Sequence, residues 1–144
     1  MDAKRFGVAT VVGGIVLYAL GYLIFNVMFA GFYAANVGSA TGVDRASQIP
    51  WAMAVGNLAY AALIAYALER GGTSVSIGDG VKVGAIVGFL IWCSVDFTFY
   101  GATNIANLSR TIVDPLLEIV HAGVAGAVMA AVAYRASARA RAVA

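Results

Sequence analysis

The chain has 144 residues, of which 62% are hydrophobic and only 11% charged. Soluble domains carry about 25% charged and about 45–50% apolar residues, so this balance excludes a water-soluble module. The net charge of +2 comes with no basic stripe interleaved with aromatics, which excludes a nucleic-acid surface. A single cysteine excludes an internal disulfide or a cysteine-based metal cluster.

The mean hydropathy is +0.88. Apolar runs of roughly 20 residues are long enough to cross a hydrocarbon core of about 30 Å. The predicted fold is therefore all-α: one polytopic membrane domain over residues 1–144, a four-transmembrane-helix bundle with antiparallel neighbours. The lipid bilayer is its immediate partner.

The first predicted span covers 6–33. Lys4 and Arg5 precede its apolar run, as in a signal peptide, but the run is nearly twice a usual h-region of about 7–15 residues. It is also long for a perpendicular helix, so it tilts, protrudes, or bends near Gly21. A polar linker follows, holding Gly38, Ser39, Thr41, Gly42, Asp44 and Arg45. The second span covers 50–68, with Pro50 in the first turn, where a missing N–H costs nothing. Residues 69–80 form the second linker, rich in glycine, serine and threonine. The third span covers 82–102, capped by Asp79. The fourth covers 115–134, with Pro115 in its first turn and Asp114 as N-cap.

With four spans, Lys4, Arg5, Arg70, Lys82, Arg135, Arg139 and Arg141 fall on one side, and Arg45 and Arg110 on the other. The positive-inside rule then puts both termini in the cytoplasm. Basic residues from Arg135 to Arg141 are placed to meet anionic lipid heads. Trp51, Tyr33 and Tyr100 fit an aromatic belt at the outer interface, and Tyr66 and Tyr134 one at the inner. Gly84 with Gly88, Ala122 with Gly126, and Gly123 with Ala127 are small-xxx-small pairs that let helices approach closely. Gly13, Gly14 and Gly56 add flat surface. Asn107-Leu108-Ser109 spells a glycosylation sequon near the membrane surface. Cys93 and Trp92 read as packing residues.

Ionisable side chains inside these spans mark the candidate site, because charge at membrane depth costs from about 2.5 kcal/mol upward. At roughly 1.5 Å per residue, His121 and Asp96 lie about 9 Å, and Asn57 about 10 Å, below the outer ends of their helices. Asn26 lies in the outer third of the first span, and Glu118 one turn above His121. Each span thus contributes to one polar layer in the outer half. Asp96, Tyr100, Thr103 and Asn107 share one helical stripe, and Asp114, Glu118 and His121 another. Apart from His121, no span offers Asp96 a basic partner, so Asp96 is protonated or shares a proton or hydrogen bond with it.

Four readings compete for this layer. Its members hold the bundle in register by hydrogen bonding one another; or they form a ligand or ion site open to the outside. Glu118-x-x-His121 has the spacing of half a di-iron motif, but the second half is missing with one histidine in the chain, which leaves a mononuclear site from Asp96, Glu118 and His121. Catalysis with His121 as general base lacks a nucleophile motif. The expectation is a non-enzymatic small membrane protein of the cell inner membrane. It binds or transports a small polar or cationic ligand through Asp96, Glu118, His121, Asn57, Asn26 and Tyr100. The alternative is an accessory subunit that packs against a larger membrane complex or against itself. No cofactor is specified.

The stretch Ser94-Val95-Asp96-Phe97-Thr98-Phe99-Tyr100-Gly101-Ala102-Thr103-Asn104, followed by an acidic fourth span, resembles small bacterial membrane-protein families of unassigned function. These have about this length and four predicted helices. The resemblance covers the last third of the chain. It implies a fold and a bacterial membrane, and no site residues.

Overall fold

The computed structural model describes residues 2–71 and 75–134. Arg135, Arg139 and Arg141, expected at lipid heads, lie outside the described residues, as do Gly72, Thr73 and Ser74 of the second linker. The protein is all helical, and four helices are long and apolar enough to cross a membrane. The order is α1 (Ala3–Gly21, continuing as a π-helical segment Tyr22–Met28), α2 (Ala30–Ala35), α3 (Pro50–Arg70), α4 (Ile77–Ala102) and α5 (Leu108–Met129, continuing as a π-helical segment Ala130–Tyr134).

Local chemistry explains the helix ends. Asp2 caps α1 by accepting from the Lys4 and Arg5 amides at 3.0 and 3.1 Å. Pro50 stands at the start of α3, as expected. α4 begins at Ile77, five residues before the expected start, because Ser76 and Asp79 form a capping box. The Ser76 hydroxyl accepts from the Asp79 amide at 3.1 Å, and the Asp79 carboxylate accepts from the Ser76 amide at 3.0 Å. The N-cap is therefore Ser76, and Asp79 is its partner one turn in. α5 begins at Leu108, with Asn107 as its N-cap through the Arg110 amide at 3.0 Å. Pro115 lies inside this helix, where it removes one backbone bond to the preceding turn. Asp114 is thus an interior residue, not a cap.

Two antiparallel pairs, α1 with α3 and α4 with α5, join mainly where α1 meets α5. Small residues set the α4–α5 distance. A Cβ on Gly80 or Gly84 would overlap the Gly126 or Ala122 carbonyl, and one on Gly88 would fall 2.6 Å from the Ala122 Cβ. Gly13 and Gly14 do the same for α1, against Met129, Ala61 and Leu58. Gly56 faces open space. α5 is the central helix: half of its most apolar window is buried, against 11% for α4. Leu17, Ile64, Leu68, Ala122, Met129 and Ala130 are core residues. Ile15, Trp51, Ile86, Leu90 and Val120, among many large apolar side chains, point outward. So much exposed apolar surface is far beyond what a soluble monomer displays.

A buried ion pair closes the end where α1 begins. Arg5 donates from Nε and Nη2 to the two Glu69 oxygens at 2.7 and 2.8 Å, a bidentate fork. Its guanidinium lies 4.9 Å from the centroid of the Tyr134 ring. Tyr134 is 1% exposed and donates to the Ala65 carbonyl at 3.3 Å. It is therefore a core residue and not a belt aromatic. At the other end the two connections pair. The Gly38 and Ala40 amides donate to the Ile105 and Asn104 carbonyls at 2.9 and 3.0 Å, and Val37 bridges Ala106. Asn107 Nδ2 donates to Asn36 Oδ1 at 3.0 Å. The asparagine of the sequon is thus bound in structure on both sides.

Candidate functional site

The polar side chains of the interior form a column with two levels. The deeper level is built on Glu118 and His121, 2% and 3% exposed. One turn apart on α5, they share a face, and Glu118 Oε2 lies 2.9 Å from His121 Nδ1. The Tyr60 hydroxyl on α3 donates to the same Oε2 at 3.1 Å. His121 Nε2 lies 2.9 Å from the Leu17 carbonyl oxygen on α1. Three helices therefore converge on one carboxyl–imidazole pair.

Two glycines make this possible. A Cβ on Gly21 would stand 3.2 Å from His121 Nε2, so the absent side chain leaves the imidazole its path to Leu17. One on Gly88 would stand 2.7 Å from the Tyr60 oxygen and 2.8 Å from the Glu118 carbonyl. Gly88 is the floor over which the phenol reaches Glu118.

The geometry fixes a proton count. Both imidazole nitrogens face oxygen acceptors, whereas a neutral imidazole has one N–H. The Leu17 carbonyl can only accept, so Nε2 carries a hydrogen. A second proton must then lie between Nδ1 and Oε2, since a bare nitrogen lone pair against a carboxylate would repel. Whether it resides on His121 or Glu118, the pair is neutral overall, which is what burial in a low dielectric favours.

The upper level lies toward the paired connections. Asp114, 8% exposed, is one turn above Glu118 on α5 and accepts a hydrogen bond from the Tyr33 hydroxyl of α2. Arg110 lies 5.0 Å from the Tyr33 ring centroid. Asp96 on α4 interacts electrostatically with Asp114, Arg110 and Glu118. Its Oδ2 is buried beside the Asp114 carboxyl, and Trp92 Nε1, one turn deeper on the same face, is buried beside the Tyr60 hydroxyl. Phe25, in the π-helical segment of α1, joins the levels. Its ring meets His121 edge-on at 5.5 Å and Tyr33 edge-on at 5.6 Å.

The expected single layer is thus spread along the bundle axis. α5 starts seven residues earlier than expected, which puts Glu118 and His121 about 10 Å further from its end. Asp96, Glu118 and His121 belong to the column. Asn57 instead donates to the Met53 carbonyl of its own helix at 2.9 Å. Asn26 is exposed and accepts from Gln48 at 3.3 Å, and Tyr100 is 42% exposed. Sequence reasoning put Asp114 on the stripe of Glu118 and His121 but as an N-cap, passed over Tyr60 and the Leu17 carbonyl, and read Tyr33 only as a belt residue. Among the described residues, no group of three or more His, Cys, Asp or Glu side chains is arranged to hold a metal ion.

Comparison with protein-family models, curated proteins and solved structures finds no match to the chain.

Proposed function

We propose that this is a multi-pass protein of the cell inner membrane, with both termini cytoplasmic, that binds or transports a small polar or cationic ligand. The ligand enters from the side of the paired connections and is held at Asp96 and Asp114, above the Glu118–His121 pair. The outward-pointing apolar side chains support the membrane setting, and the distribution of basic residues supports the orientation.

One observation carries the ligand reading: Asp96 presents a buried carboxyl oxygen that accepts from no N–H or O–H of the described residues and lies against a second carboxyl, Asp114. Charge accounting leaves room for one positive charge, a proton or a monocation. The Glu118–His121 pair is neutral, so two carboxylates, Asp96 and Asp114, remain beside one guanidinium, Arg110. One negative charge is left over. A buried unmatched charge is expensive, so a proton or a small cation occupies that position.

The test uses purified protein in nanodiscs. Sodium, ammonium and tetramethylammonium are each titrated while thermal stability is followed. A ligand at one hundred times its Kd stabilises by about 2.7 kcal/mol. The expected result is stabilisation by at least one of these cations, lost in Asp96→Asn and changed in its pH dependence in His121→Ala. Unchanged cation response and unchanged pH response in both variants would remove the ligand reading and leave the column a structural feature.

A further inference from the structure

The upper end of the column is covered by one half-buried side chain, Tyr33, carried on a short helix. α2 is only six residues long and has no buried residue. It follows a break at Phe29, where φ is −108° and ψ is 11°. It ends at Asn36, whose side chain is bound to Asn107 and whose carbonyl accepts from the Asn107 amide at 3.3 Å. The short helix is therefore a strap, continuous with the first span at Phe29 and tied to Asn107 at Asn36. From its middle, Tyr33 reaches inward to Asp114.

We propose that Tyr33 is a gate. Its phenol closes the Asp114–Asp96 level from the side of the connections, and the gate opens when the phenol leaves Asp114 while the strap stays anchored. This regulates the site described above and rests on that reading.

Three contacts give the gate its mechanics. The hydrogen bond to Asp114 is the latch. Arg110 lies over the Tyr33 ring, within electrostatic reach of Asp96 and one turn from Asp114 on α5, so a cation is near when the phenol departs. Phe25 touches Tyr33 on one side and His121 on the other. Movement of the gate therefore changes the surroundings of the buried imidazole. A side-chain rotation suffices, and no helix has to separate from its neighbour.

The test reads access to the column and needs no ligand. Asp96→Cys is made in a Cys93→Ser background, in the full chain reconstituted in liposomes. An impermeant methanethiosulfonate reagent is added from the side of the connections, and the modification rate is measured with Tyr33 and with Tyr33→Phe. Tyr33→Phe keeps the ring and removes the latch. A lost hydrogen bond to a charged group shifts the opening equilibrium about tenfold or more, so the rate is expected to rise about tenfold. Tyr100→Cys, exposed and outside the column, is the reference and should react at the same rate in both backgrounds. Equal acceleration at both reporters means general loosening and overturns the gate, as does an unchanged rate at position 96. Failure of cation binding leaves this experiment intact, so the ligand and the gate fall separately.

Discussion

Replacing Gly84 with leucine is expected to cost about 3 kcal/mol or more, the upper end of the range for overpacking. The reason lies in what the new side chain would meet. At Gly84 the neighbours are the backbone of Ala122 and the Gly123 Cα, the latter 3.3 Å from a built Cβ. No rotamer change can relieve contact with backbone, so α4 and α5 must move apart. Their separation also withdraws Gly88 from beneath Tyr60 and loosens the Glu118 contact. Packing of small residues is a main source of helix association in lipid, which supplies no hydrophobic drive between helices. The control is Gly56→Ala, which faces open space on α3 and should be neutral or stabilising by up to about 1 kcal/mol through helix propensity. Unfolding in mixed detergent micelles, followed by circular dichroism, measures both. Equal midpoints for Gly84→Leu and the parent would show that the α4–α5 seam is not the tight contact described.

Removing the Glu118 carboxyl is the second large effect. If His121 stayed charged without its partner, the loss would approach the 3–5 kcal/mol typical of a broken buried pair. The imidazole has a cheaper course. It releases the shared proton, keeps Nε2–H on Leu17, and leaves Nδ1 and the Tyr60 hydroxyl unsatisfied. Unmet buried polar groups cost about 1–3 kcal/mol, so Glu118→Ala should fall near the top of that range. Glu118→Gln should cost less, since its amide still serves one of the two partners that share Oε2. Tyr60→Phe removes one interhelical hydrogen bond, for which membrane proteins average about 0.6 kcal/mol. The same unfolding assay gives all three. The order Glu118→Ala, Glu118→Gln, Tyr60→Phe, from most to least destabilised, is the expected result. A Glu118→Ala variant as stable as the parent would mean that the pair contributes nothing to the bundle.

Particular residues explain what was legible before the structure. Four apolar runs matched the four helices long enough to cross a membrane, and Pro50 marked the start of α3. The three-residue spacing of Glu118 and His121 put them on one face, as found. The first span was expected to tilt, protrude or bend near Gly21; it passes from α to π geometry there, and its break comes at Phe29. Pro115 was misleading. It looked like a first-turn proline, which hid the Asn107 cap and the seven residues behind it. That error shifted the heights of Glu118 and His121. Asn26, Asn57 and Tyr100 failed to join the column for a different reason. Sequence gives a residue's height along a helix, but its rotation must be read from the contrast between polar and apolar faces. Helices that are apolar all round supply little such contrast. Tyr60 was hidden among seven tyrosines, and the Leu17 carbonyl, being backbone, leaves no mark in a sequence at all.

The central claim is that Glu118 and His121 hold one proton between them inside the bundle, and the chain's single histidine makes it directly measurable. Nitrogen NMR of protein labelled at histidine, in lipid nanodiscs at neutral pH, reports both ring nitrogens without overlap. The expected spectrum has Nε2 protonated and Nδ1 protonated or in a strong hydrogen bond, with the Nδ1 signal moving in Glu118→Gln and the Nε2 signal largely retained. A ring with a free Nδ1 lone pair, exchanging protons with bulk water and indifferent to Glu118→Gln, would contradict it.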